Sequence, residues 1–223
     1  MKLLRYLLFF VSTAHFFLSN NIIANKHDAG SVLPLITKTV DGKKVVYAFL
    51  GREGYGADKG TYDDFGGAAD PGETPLQSAA RECSEEMISH KTISMSVQEI
   101  EKYIAPQAGN TKYVITQKNV GTKKSNMVTY ITYFPEHLID QCIDRFYTEK
   151  KFVKQHKYRE KDRLALVEWD LLKKTIAQGK KTVKAIVIDS KQQRQQKKIS
   201  LRPILCCKLK QFCQNKSCKG SKN

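Results

Sequence analysis

The stretch from Gly66 to Met87, GGAADPGETPLQSAARECSEEM, sets the reading of the whole chain. It carries Asp70, Glu73, Glu82, Glu85 and Glu86 inside a 223-residue protein whose net charge is +16. A glycine- and proline-rich turn leads into it. Thr74 followed three residues later by Gln77 forms a capping box, and Pro75 suits a first helical position. The spacing predicts a helix over Thr74–Ser89. Leu76, Ala79, Ala80, Cys83 and Met87 form its buried stripe. Glu82, Glu85 and Glu86 stand at i, i+3 and i+4 on another face, where they are expected to project to solvent or into a cleft. Arg81 lies four residues before Glu85 and can pair with it.

Three carboxylates so close repel one another, by several tenths of a kcal/mol (~0.2–0.5) per exposed pair. A divalent cation removes that repulsion. An all-oxygen donor set suits a hard ion, Mg2+ or Mn2+, which commonly bridges to phosphate oxygens. A solvated acidic helix face would carry the same spacing, so spacing alone leaves both readings open.

The neighbouring letters add to this. Gly67, five residues, Glu73, seven residues, then Arg81-Glu82-Cys83-Ser84-Glu85-Glu86 resembles the Nudix box, G-x5-E-x7-R-E-U-x-E-E-x-G-U, where U is apolar. Cys83 takes the first apolar position. Ile88 and Ser89 stand where the pattern ends in Gly-U, a departure that touches the exit of the helix rather than the acidic residues. The resemblance implies an α/β fold, a Nudix-like α/β/α sandwich with a mixed sheet between helices. It implies Mg2+-dependent hydrolysis of a pyrophosphate bond in a nucleoside diphosphate linked to another moiety, with Mn2+ as a substitute. By position, Glu82, Glu85 and Glu86 would hold the metal, joined by the backbone carbonyl of Gly67, while Glu73 and Arg81 would fix the loop and orient the acids. The general base would be a box glutamate such as Glu82, or an acid on a later loop such as Glu160. Arg52, ahead of the box, is a candidate phosphate contact. Tyr55 or Tyr62 is a candidate for stacking on a base, and Trp169 a core residue or a stacking one. Two other readings remain beside the hydrolase: a catalytically silent Nudix-fold module that binds a nucleotide or a partner, and an RNA-end processing protein.

Outward from the box, "SVLPLITKTV" and "KKVVYAFLG" flank Asp41-Gly42, a two-residue hairpin signal. The loop "GREGYGADKGTYDD" lacks the Gly-Lys-Ser/Thr of a P-loop and reads as a connection into a short strand ending near Phe65. "YVITQKNV", "MVTYITYF" and "LALVEW" read as strands, "PEHLIDQCIDRFYTEK" and "DLLKKTIAQG" as helices. "VKAIVIDS" fits no single pattern. "RPILCCKLKQFC" reads as a last helix with Leu205, Leu209 and Phe212 inward.

The ends differ in composition from the middle. Lys2 and Arg5 precede an apolar run, Tyr6–Leu18, too short to span a bilayer. Residues 1–24 are therefore expected to be a signal peptide ending at Ala24. The alternatives are an uncleaved N-terminal anchor and a buried segment. A signal implies a periplasmic, extracellular or host-cell location with no transmembrane domain left after cleavage; without one the chain is cytoplasmic or N-terminally anchored. The expected hydrolase domain spans 25–212, and 213–223 is a basic, Cys-containing tail. Residues 179–223 hold thirteen Lys and Arg against one acid, Asp189. They read as a solvated basic segment or as a contact for a polyanion. In an exported chain Cys206, Cys207, Cys213 and Cys218 could pair as disulfides. The expected ligand is a nucleotide-derived small molecule.

Overall fold

The computed structural model describes residues 28–87, 96–108, 110, 113–120, 125–149 and 160–217. The segment expected to be a signal peptide, the Ile88-Ser89 departure and Cys218 lie outside the described residues.

The first two strands form the hairpin anticipated from Asp41-Gly42. β1 (Ala29–Val40) runs antiparallel to β2 (Lys43–Glu53), paired from Leu35–Ala48 to Val40–Lys43. Asp41 and Gly42 both adopt positive φ, 48° and 75°, as a two-residue turn matched to strand twist requires. β3 (Tyr62–Asp63) pairs with β2, and β4 (Phe65–Ala68) pairs with the first residues of β1. β1 thus changes neighbour along its length, from β4 at Ala29–Val32 to β2 at Leu35–Val40. The sheet forks there, and the chain leaves β4 at the fork to enter the acidic helix.

That helix, α1 (Pro75–Met87), is capped as its letters indicated. The Gln77 amide N–H donates to Thr74 Oγ1 at 3.2 Å, and the Thr74 N–H donates to Gln77 Oε1 at 2.9 Å. Ala79, Ala80, Cys83 and Met87 are fully buried. The helix lies hard against β1: a Cβ on Gly30 would stand 2.0 Å from the Pro75 carbonyl oxygen.

The remaining elements are α2 (Val97–Ile104), β5 (Val114–Val120), β6 (Ser125–Tyr133), α3 (Glu136–Glu149), β7 (Lys161–Glu168), α4 (Trp169–Ala177), β8 (Thr182–Ile188), β9 (Arg194–Ser200) and α5 (Pro203–Ser217). The main sheet runs β5-β6-β1-β2-β7-β8-β9; β1 and β6 are parallel, and the other paired strands are antiparallel. One face packs on α1, α2 and α3 through Val32, Ile36, Phe49, Phe65, Ile100 and Phe146. The other packs on α4 and α5 through Leu33, Leu50, Trp169, Leu172, Leu205 and Phe212. This is the α/β/α sandwich with a mixed sheet between helices expected from the sequence. Among the described residues no helix is long and apolar enough to cross a membrane.

Two expectations change. Residues 179–217 are not a solvated segment: "VKAIVIDS" is β8, and the low-complexity "KQQRQQKK" runs into β9, which takes its order from the full register it forms with β8. α5 is the helix foreseen, with Leu205, Leu209 and Phe212 buried, but it buries Lys208 as well. Lys208 Nζ donates to Asp64 Oδ1 and Oδ2 at 2.8 and 2.9 Å, tying the last helix to the residue just before β4. No disulfide joins any two of Cys83, Cys142, Cys206, Cys207 and Cys213.

Candidate active site

Arg81 organises the acidic face of α1. Its Nε and Nη2 donate to the two oxygens of Glu73 at 2.8 and 3.0 Å, a planar fork on a planar carboxylate. Nη1 reaches Glu82 Oε1 at 2.8 Å and Glu85 Oε2 at 3.3 Å, and Nη2 also reaches the Ala68 carbonyl at 3.0 Å. Glu73 in turn accepts the Asp70 N–H at 2.8 Å. One guanidinium therefore closes the β4–α1 loop upon the helix. The hydrogen bonds from Arg81 hold Glu73 below the usual carboxylate range, against its burial. Those same bonds to Glu73, with the charge of Glu82, raise Arg81 although burial opposes them.

The three helix carboxylates occupy different environments. Glu85 is the solvent-facing one, its side chain 61% exposed. Glu82 is mostly buried at 14% and lies flat against Gly67, where a Cβ would sit 2.5 Å from its Cδ. Glu86 is buried at 4%, which corrects the expectation that all three project to solvent or a cleft. Its Oε2 accepts the Gly66 N–H at 2.7 Å, and its Oε1 stands 3.4 Å from Lys161 Nζ. Burial raises Glu82, opposed by Arg81, and raises Glu86 well above the usual range, opposed by Lys161. Repulsion contributes too: Glu85 and Glu160 act on Glu82, and Glu53 and Glu160 act on Glu86.

Lys161 and Glu53 are the site residues that the sequence did not disclose. Lys161 opens β7 and points inward, its side chain 2% exposed, and Nζ donates to Glu53 Oε1 at 2.6 Å. Lost hydration lowers the lysine's proton affinity, but Glu86, Asp63 and Glu53 together outweigh that and hold it raised. Gly51 makes room for it, since a Cβ there would be 2.7 Å from Lys161 Cγ. Arg202 then links Glu53 at 3.4 Å, Asp63 at 3.0 Å and Asp58 at 2.8 Å. Arg202, Glu53 and Lys161 thus form a chain of ion pairs that ends at Glu86.

The other anticipated residues fall as follows. Glu160 is partly exposed and accepts a hydrogen bond from the Tyr55 hydroxyl at 3.0 Å. Burial and Glu160 push that tyrosine up to about 12. Arg52 is engaged by Asp162 through a fork at 2.6 and 2.7 Å. Tyr62 is buried in the sheet core, so its ring offers no free face for stacking. Trp169 is a core residue, packed on Phe212 at 5.8 Å between ring centroids. The Gly67 carbonyl accepts from Ser78 Oγ at 3.4 Å.

Among the described residues no three of His, Cys, Asp or Glu converge closely enough to grip an ion as they stand. The chemistry of the donors nevertheless fits a hard dication. Glu82 and Glu86 are carboxylates one helical turn apart, an all-oxygen pair, and Gly67, lacking a side chain, lets the Glu82 carboxylate lie against its backbone.

No protein-family model matches the chain, and no curated protein matches it. Solved structures do resemble it. A mutT/nudix family protein from Listeria innocua is similar over 66% of this chain and 82% of its own, at 14% identity and a TM-score of 0.39. A Nudix hydrolase from M. smegmatis is similar over 89% of this chain and 90% of its own, at 15% identity and a TM-score of 0.44. The NUDIX domain of Shewanella oneidensis NrtR, complexed with ADP ribose, is similar over 55% of this chain and 70% of its own, at 12% identity and a TM-score of 0.29.

Proposed function

We propose that this chain is a Nudix-type pyrophosphohydrolase, cleaving a nucleoside diphosphate linked to a second group with Mg2+ or Mn2+. The observation that carries this reading is the Arg81 fork on Glu73, which holds Glu82 against the bare backbone of Gly67. A loop so fixed presents carboxylates that repel one another, and such an arrangement is stabilised by a cation. Glu82, Glu85 and Glu86 would hold the metal, with the Gly67 carbonyl as a further donor. Bound there, the ion would neutralise pyrophosphate charge and acidify a water. Glu73 and Arg81 position the acids. Glu82, raised by burial, and Glu160, hydrogen-bonded by Tyr55, are our two candidates for the group that accepts a proton. The pH–rate profiles of Glu82→Gln and Glu160→Gln separate them.

The test is hydrolysis by the purified chain, with either metal, of ADP-ribose, nucleoside triphosphates, dinucleoside polyphosphates, NADH, nucleotide sugars and capped RNA. At least one substrate is cleaved, and Glu86→Gln abolishes the cleavage. Inactivity on the whole panel overturns the reading, and activity surviving Glu86→Gln overturns the site. A second reading, a nucleotide-binding module without turnover, draws on Lys161, whose ammonium already compensates Glu86 without an ion. Saturable binding of a panel member with no product formed would establish it. We also propose export directed by residues 1–24; N-terminal sequencing of the mature protein beginning at Asn25 is the expected result.

A further inference from the structure

The hairpin of β8 and β9 carries a concentration of charge that the candidate site does not use. The two strands pair without a break from Thr182–Ser200 to Ile188–Arg194, and β9 is the outer strand of the sheet. Val183, Ala185, Val187 and Ile199 anchor the hairpin in the core. Ile188 is buried and Ile186 half-buried against the core on the other face of the sheet. The exposed side chains are polar, and every exposed charge among them is basic. Lys184 stands directly opposite Lys198, and Lys197 opposite Ala185. Lys180 and Lys181 lead into β8, Lys191 lies in the turn, and Arg194 opens β9; all of these are exposed. Among the described residues only Arg194 of this set has an acid within ion-pair reach, Asp140 at 3.2 Å. The one acid of the hairpin, Asp189, is committed to the turn, where its Oδ1 accepts the N–H groups of Lys191 and Gln193 at 2.9 Å.

Like charges directly opposed across two strands are destabilising. Lysine on an edge strand discourages pairing with another chain, and that accounts for Lys197 and Lys198. It does not account for Lys180, Lys181 and Lys184, which precede the edge. Lys184 and Lys198 share one face of the hairpin and Lys197, opposite Ala185, lies on the other, so a phosphate backbone that follows the free edge of β9 passes both rows.

We propose that this hairpin is a docking surface for the sugar–phosphate backbone of a nucleic acid, recognised by charge rather than by base. Gln192, Gln193, Gln195 and Gln196, exposed between the cations, supply amides that hydrogen-bond phosphate and sugar oxygens. The exposed large apolar residues of the described chain, Val40, Tyr55 and Tyr133, all lie elsewhere. The hairpin therefore has no side chain to insert into a bilayer and no ring to stack on a base, which favours a nucleic-acid backbone over a membrane. Seven residues of β9 at about 3.3 Å each extend over roughly 23 Å, long enough to follow several successive phosphates. The surface shares no residue with the acidic helix, so it stands whether or not the chain is a hydrolase.

The test compares the full chain with the triple variant Lys184→Gln, Lys197→Gln, Lys198→Gln. Fluorescence anisotropy with a labelled RNA duplex and a labelled DNA duplex is read across a salt titration, beside sedimentation with phosphatidylserine vesicles. The unaltered chain binds at least one duplex. In the variant the slope of log K against log salt falls by about 2–3, at roughly 0.9 per lost phosphate contact. A thermal melt confirms that the variant is folded. Three results would overturn the proposal: no binding to either duplex, an unchanged slope in the variant, or binding to vesicles without binding to nucleic acid. A variant that self-associates while its duplex binding is unaltered would also overturn it, and would leave edge protection as the role of these lysines.

Discussion

A methyl group on Gly67 would lie 2.5 Å from Cδ of Glu82 and within 2.7 Å of both its carboxylate oxygens. Gly67 needs no left-handed backbone, so alanine there is unstrained in itself. The nearest atoms it would meet are those of the Glu82 carboxylate, the end of a flexible side chain that would be pushed off its contact with Arg81. Gly67→Ala is therefore expected to shift the melting temperature little. Metal-dependent hydrolysis should fall at least tenfold, about 1.4 kcal/mol of lost transition-state stabilisation. Full activity in this variant would show that Glu82 acts from some other position.

The Arg81–Glu73 fork is a pairing that lysine cannot reproduce, because a point charge makes one contact where the guanidinium makes several. Arg81→Lys and Glu73→Gln are each expected to lower hydrolysis, and the double variant should be little worse than either. A double-mutant cycle on stability should give a coupling of about 1–2 kcal/mol. Additive effects would mean that the two residues act separately.

Glu86 gives a pH dependence with a definite sign. Burial raises its folded pKa above the ordinary value of 4.5. A carboxylate raised in this direction favours the folded state while protonated and loses that advantage as pH climbs from its unfolded value through its folded one. The chain and its Glu86→Gln variant should be similarly stable near pH 4. Above that the unaltered chain should fall progressively behind the variant in urea titrations without metal. Mg2+ should close the gap, since it compensates a charge that the variant lacks. A gap that narrows with rising pH would contradict the environment described for Glu86.

The buried pair of Lys208 and Asp64 should behave asymmetrically. Lys208→Met strands a buried carboxylate and is expected to cost about 3–5 kcal/mol. Adding Asp64→Asn removes the stranded charge and should recover most of that loss. Equal instability in single and double variants would mean that shape, rather than charge, sets the cost.

Much of this was written in the local letters. Asp41-Gly42 specified the hairpin because a two-residue turn needs positive φ at both positions. Thr74 and Gln77 specified the start of α1 because the cap is made by groups three residues apart. The acidic set was visible for the same reason. Lys161 and Glu53 were not, because they meet across a sequence separation of 108 residues, and nothing local marks an inward lysine at the head of a strand. β9 escaped notice because an edge strand exposed on both sides shows no alternation; only Ile199 is buried along most of its length. Lys208 did leave a trace. It lies between Leu205 and Leu209 on the inward stripe of α5, and a lysine at such a position signals a buried acid elsewhere. Residue type alone suggested ligand contact for Tyr62 and Arg52; the sheet buries the ring of Tyr62 and pairs Arg52 with Asp162.

The ion pair that fastens α5 to Asp64 spans 144 residues of chain. A ribosome that has finished the whole acidic helix has still not made the lysine that neutralises the residue beside its loop. The nascent polypeptide can hold every group of the box and yet lack the clasp that sets it. The clasp between Asp64 and α5 therefore cannot form until Lys208 has been made and has left the exit tunnel.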